Sequence, residues 1–105
     1  MNENNSMVVS DITMSDVAAY LRITELSQAD QSFIPQILEA AKAYVMKYTG
    51  LDAAGMDLCP DIVIVIYVLC QDMYDNRALY VDSSNISNVV ETILGMHSIN
   101  LLPSE

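Results

Sequence analysis

The sequence predicts an all-α fold: a compact bundle of about four helices, two long and central, two short. Three observations carry this expectation. Apolar residues from Phe33 to Tyr48 recur at helical spacing. A second helical pattern starts behind Pro60 and runs to Tyr74. Capping signals also stand at the places where helices should begin and end.

Residues 1–10 are polar and Asn-rich at the start, and read as a flexible N-terminal tail. Residues 11–105 read as a single domain, a size typical of one folding unit. Thr13-Met14-Ser15-Asp16 has the form of a capping box, with Asp16 in the first turn, where the helix dipole favours a carboxylate. Met14, Val17, Ala18 and Leu21 share one face, and this short helix should end near Leu21 or Arg22. Thr24 to Gln31 reads as a polar connection.

The second helix is the clearest element. Phe33, Ile34, Ile37, Leu38, Ala41, Tyr44, Val45 and Tyr48 form its apolar stripe, while Glu39, Lys42, Met46 and Lys47 lie largely off it. Glu39 and Lys42 can pair at i,i+3. Pro35 is tolerable in the first turn, which places the cap at Ser32 or a neighbour. Gly50 then becomes the left-handed residue after the helix, and Lys47 complements the C-terminal dipole.

Residues 52–59 read as a loop containing Gly55, followed by Pro60 and the nine apolar residues IVIVIYVLC. Such a run alone fits a buried strand or a buried helix. The helical steps Ile62, Ile66, Leu69, Met73 and Val63, Tyr67, Cys70, Tyr74 continue beyond it and favour one long helix ending at Asp72–Asn76. Its N-terminal half is apolar almost all round and should be covered on several sides. Asp82 to Asn85 reads as a loop. Ile86, Val89, Val90, Ile93 and Leu94 predict a fourth helix closed by Gly95, followed by an apolar tail, Ile99 to Leu102.

Charge narrows the function. With 14 acidic and 4 basic residues the chain carries a formal charge of −10, which repels phosphate backbones and anionic membranes. Solubility alone also accounts for it. Cys59 and Cys70 match no zinc spacing and read as free thiols, with a single disulfide as the alternative. The start lacks a signal-peptide pattern, and the apolar run is far shorter than the about 20 residues a membrane span needs. A soluble cytoplasmic product is expected.

Catalytic chemistry has little to stand on. His97 is the sole histidine and sits at a helix end, where a structural role explains it. No GxxxxGK[ST], GxGxxG or HExxH motif occurs. Asp72 and Asp75 share a helix face, which reads as solvated. The expectation is no enzyme, no cofactor and no metal. The seven methionines suit adaptable packing or a sticky surface, with Met46 exposed at a contact.

The order of these pieces resembles a known family. SDVAAYLRI (Ser15 to Ile23), an acidic loop, a helix ending AKAYVMKYTG, then Pro60 opening a long apolar helix that ends YDNR (Tyr74 to Arg77) looks like the small head–tail connector proteins of tailed bacteriophages and prophages, often labelled DNA-packaging proteins. The likeness covers roughly residues 8 to 95. It implies a compact α-helical subunit that assembles into a ring beneath the portal, completes the DNA-filled head and docks the tail. Self, portal and tail-side proteins would be its partners, without membrane or tight sequence-specific nucleic-acid binding. The host cytoplasm, then the virion neck, would be its place.

By this resemblance Leu21-Arg22, Tyr48-Thr49-Gly50 and Tyr74-Asn76-Arg77 occupy recurrent, fold-defining positions. His97-Ser98-Ile99-Asn100 departs from the basic ending of the family. Candidate subunit-interface residues are Arg22, Met46, Arg77, Ile99, Leu101 and Leu102. Arg22 and Arg77 pair either with local carboxylates or with an acidic neighbour across the ring. The alternative reading is a small acidic helical regulator that binds a partner protein, as a mimic of DNA's charge.

Overall fold

The computed structural model describes residues 7–81 and 88–98. Among them every regular element is helical: a 3-10 turn Val9–Asp11, then α1 (Met14–Tyr20), α2 (Gln28–Thr49), α3 (Ala53–Asp57), α4 (Ile62–Asn76) and α5 (Asn88–His97). The fold is all-α, with α2 and α4 as the central pair and α1 and α5 packed against both.

Helix α1 starts as its sequence dictates. The Thr13 hydroxyl accepts from the Asp16 amide at 3.2 Å, and the Asp16 carboxylate accepts from the Thr13 amide at 2.9 Å. Val17 and Ala18 are its buried residues.

Helix α2 begins earlier than the sequence reading places it. Ser27, not Ser32, is the cap: its hydroxyl accepts from the Asp30 amide at 3.0 Å, and Asp30 returns the bond to the Ser27 amide at 3.3 Å. Much of the expected connection from Thr24 to Gln31 is therefore helix. Pro35 lies in the helix interior, more than one turn in, where it has no N–H to offer the Gln31 carbonyl. Burial offsets that loss. Ile34, Ile37, Ala41 and Val45 are fully inside, and each of the isoleucine and valine side chains contributes about 1.5–3 kcal/mol.

Residues 52–59 are not simply a loop. The Asp52 carboxylate accepts from the Gly55 amide at 2.8 Å and starts the short helix α3, which inserts Met56 into the core. Of the expected tail, residues 1–6 lie outside the described chain, and residues 9 and 10 are packed. Val9 is 1% exposed, and Ser10 donates from its amide (2.9 Å) and hydroxyl (2.6 Å) to Asp57 of α3. An apolar residue two positions past Met7 found cover under α3, so residues 9 and 10 belong to the domain.

The apolar run is helical, as expected. Ile62, Val65, Ile66, Leu69, Cys70 and Met73 of α4 are buried in the core, where α4 packs on α2 and on α5 with its buried Val90 and Leu94. Gly95 does not end α5, which continues to His97. The residues expected as a loop from Asp82 to Asn85, together with Ile86, lie outside the described chain.

Candidate functional site

Three helices end on a left-handed residue, and at two of them that residue is arginine. Arg22 follows α1 with φ 64° and Arg77 follows α4 with φ 52°, both in the left-handed region. At each end the arginine amide donates to the carbonyl three residues back: Ala19 at 3.1 Å and Tyr74 at 3.3 Å. The next amide reaches five residues back, Ile23 to Ala18 and Ala78 to Met73, both at 3.0 Å. That pair of bonds is a Schellman motif. Gly50 ends α2 with φ 81° and a single bond from its amide to Met46 at 2.8 Å, the simpler left-handed cap. Thr49 is buried there, its hydroxyl donating to the Val45 carbonyl at 2.7 Å and accepting from the Leu51 amide at 3.1 Å. Lys47 stands in the last turn of α2, and Tyr44 packs on Tyr48 with ring centroids 6.0 Å apart, both as expected.

Arg77 is drawn back onto its own chain. Its guanidinium lies 4.4 Å from the Tyr74 ring centroid and 5.8 Å from that of Phe33, a cation–π arrangement. Tyr74 in turn donates to the buried Asp30 at 2.9 Å. That hydroxyl first, then the bonds from Ser27 and the charge of Arg77, hold the Asp30 carboxyl below its usual range against the opposing cost of burial. Arg22 is exposed, and no ion pair joins it to another described residue.

The other interface candidates fall differently. Met46 is not exposed as expected: it is half-buried and packs on the core. Its position off the main stripe still faces covered surface, because α2 is flanked on more than one side. Ile99, Leu101 and Leu102 lie outside the described residues. Glu39 and Lys42 do approach, at 3.9 Å, on the surface.

His97 is held by Asp61, its Nε2 2.8 Å from the carboxylate. The contact joins the last turn of α5 to the start of α4. Asp72 and Asp75 accept from Asn76 and Gln71, at 3.1 Å and 2.9 Å. Among the described residues no cluster could hold a metal ion, and no helix is long and apolar enough to cross a membrane. Cys59 and Cys70 are free thiols. Burial pushes the Cys70 thiol up to about 12, and Cys59 is raised by burial and by the charge of Asp61.

One surface was invisible in the sequence pattern. The N-terminal half of α4 is not covered on every side: Ile64 is 54% exposed and Val68 only partly covered. Beside them Tyr67 carries the Tyr20 ring stacked at 5.0 Å and 12°, and its hydroxyl lies 3.4 Å from the Met7 sulfur. Half-exposed apolar side chains on a run that reads as covered on several sides are the signal, and only packing reveals which side stays open.

No family model, curated protein or solved structure matches this chain.

Proposed function

We propose that the chain is a structural virion-assembly protein, a subunit of the head–tail connector ring that joins portal to tail and helps retain packaged DNA. One observation carries the reading. The residues that resemble the connector family, Leu21-Arg22, Tyr48-Thr49-Gly50 and Tyr74-Asn76-Arg77, fall at the ends of α1, α2 and α4, and every positive-φ residue in the described chain is among them. A likeness that includes such positions fits a shared helical fold, because left-handed caps fix where helices turn.

The charge is compatible with this role. A ring wall of −10 subunits would let DNA slide without gripping its phosphates. The same charge supports the second reading, an acidic regulator that mimics DNA and acts as a monomer or dimer.

Light scattering across a salt series, with the full chain alone and with its cognate portal, separates the two. Closing a ring crowds like charges, and screening shortens from about 30 Å at 0.01 M salt to about 10 Å at 0.1 M. Assembly that strengthens with moderate salt points to apolar contacts. Assembly that weakens points to Arg22 reaching a neighbour's carboxylate. A monomer at every salt with no portal binding overturns the connector reading and leaves the regulator.

A further inference from the structure

The chain enters the fold as a strap laid over two helices. Its turn Val9–Asp11 packs on α3 and α4, with Val9 and Ile12 buried and Ser10 bonded to Asp57 through its amide and hydroxyl. At the start of the strap the Tyr67 hydroxyl donates to the Met7 sulfur at 3.4 Å. Among the described residues this is the one hydrogen bond the phenol makes. The Tyr67 ring is half-buried and stacked on Tyr20 at 5.0 Å, so its hydroxyl is held in place.

A thioether is a weak acceptor, whereas the phenol is a full donor. The contact is therefore mismatched. Met7 is also open to reagents, at 36% exposed, while Met56 and Met73 are sealed in the core. Oxidation corrects the mismatch. A sulfur lone pair attacks the terminal oxygen of a hydroperoxide, the S–O bond forms and the O–O bond breaks. The proton of that oxygen passes to the departing one, which leaves as water or an alcohol. The sulfur loses two electrons and the peroxide gains them. The product is a sulfoxide, polar and chiral at sulfur. Of its two epimers, one turns the new oxygen toward the fixed phenol and the other turns it away.

We propose that Met7 is a redox-sensitive clasp, whose oxidation by a hydroperoxide tightens the N-terminal strap onto α4 through the Tyr67 hydroxyl. The sign is opposite to the usual one, since a sulfoxide formed in an apolar contact disrupts it. Here the new oxygen meets a donor already in position. Met96 is 66% exposed and should oxidise at least as fast, but it stands on α5 and its side chain makes no hydrogen bond among the described residues. Reduction opens the clasp again: a dithiol gives up two electrons and becomes a disulfide, and the sulfoxide oxygen leaves as water. The clasp belongs to one chain and holds whether or not copies close into a ring.

The test uses the full chain treated with hydrogen peroxide, with mass spectrometry to locate the sulfoxides and hydrogen exchange to follow the strap. Exchange of the Ser10 amide, which is bonded to Asp57, should slow by about fivefold once Met7 is oxidised, the effect of one weak hydrogen bond made strong. Oxidised Met7→Leu keeps every other sulfoxide and should show no slowing. Oxidised Tyr67→Phe keeps the ring, loses the donor and should show none either. Met7→Gln brings an amide oxygen to the phenol without any oxidant and should slow exchange by itself. A reductase specific for one sulfoxide epimer should reverse the slowing, and its counterpart for the other epimer should not. Exchange that is unchanged or faster after Met7 is oxidised overturns the proposal. So does slowing that persists in Tyr67→Phe or Met7→Leu, or a Met7 left unoxidised while Met96 is converted. Ring formation, measured on the untreated chain, reports on the connector reading separately.

Discussion

The Tyr74 hydroxyl donates to Asp30 across 2.9 Å, joining the last turn of α4 to the first turn of α2 over 44 positions of sequence. Asp30 serves two structures at once. It completes the capping box of α2 and receives the far end of α4, with Arg77 stacked on the donor ring.

Tyr74→Phe removes that donor and leaves the ring. The melting temperature should fall by about 10 °C, the consequence of one lost hydrogen bond to a charged acceptor in a small domain. The pH dependence has a defined sign. Asp30 and Asp57 are both held below the usual carboxylate range, by Tyr74 and by Ser10 respectively, so the folded chain binds protons less readily than the unfolded one. Their stabilisation is complete above the ordinary carboxylate value and is lost as pH falls through the lowered values. Thermal melts from pH 6 downwards should show a shallower acid limb in Tyr74→Phe.

Two glycines should respond in opposite directions. Gly50 stands at φ 81°, so Gly50→Val forces a β-branched residue into the left-handed region and should cost about 1–2 kcal/mol. Gly95 lies inside α5 with open space where a Cβ would point, so Gly95→Ala should stabilise by about 0.5–1 kcal/mol. Urea titrations of the two variants settle both signs.

Arg22 and Arg77 share a backbone conformation and differ in what their side chains do. Glycine in place of either relieves about 1–2 kcal/mol of left-handed strain and loses about 0.5–1 kcal/mol to unfolded-state entropy. Arg22→Gly should therefore stabilise slightly. Arg77→Gly also forfeits the contacts with Tyr74 and Phe33, worth about 0.5–1 kcal/mol at an exposed site, and should come out near neutral. Paired denaturant curves measure the difference directly.

Duplex DNA should not bind near physiological salt. A chain of −10 with four cations has too few positive groups to displace condensed counterions. Fluorescence anisotropy with a labelled duplex checks this, and a salt-sensitive micromolar complex would contradict it.

Helix identity was legible where period and caps agreed. Thr13–Asp16, the stripe from Ile34 to Val45 and the steps beyond Cys70 all predicted the elements they form. Ser27–Asp30 has the same form as Thr13–Asp16, yet the rule that proline sits early in a helix argued for a later start. Tertiary burial of Ile34 and Ile37 outweighs one missing backbone bond, and Pro35 is carried inside α2. A glycine is also an uncertain stop: α5 continues through Gly95 because His97, one turn-end further, is anchored on Asp61. The open face of α4 was legible at its C-terminal end, where Asp72 and Asp75 read as solvated, and not at Ile64. Ile64, Val65 and Ile66 are alike as symbols, and only the placement of α1, α2 and α5 decides which of them meets solvent.

The two thiols give the molecule an internal clock. Cys70 is fully buried in the seam between the central helices, and its thiol is pushed up to about 12, so the closed protein offers a reagent neither access nor thiolate. Cys59 is partly accessible at the mouth of α4 and should be modified first. With Cys59 replaced by serine, and with a small disulfide reagent in enough excess to outpace reclosing, the rate at which Cys70 is modified becomes the frequency with which α4 parts from α2. A substitution that loosens the seam between α2 and α4 should speed that clock, and the change in rate measures how firmly the seam holds.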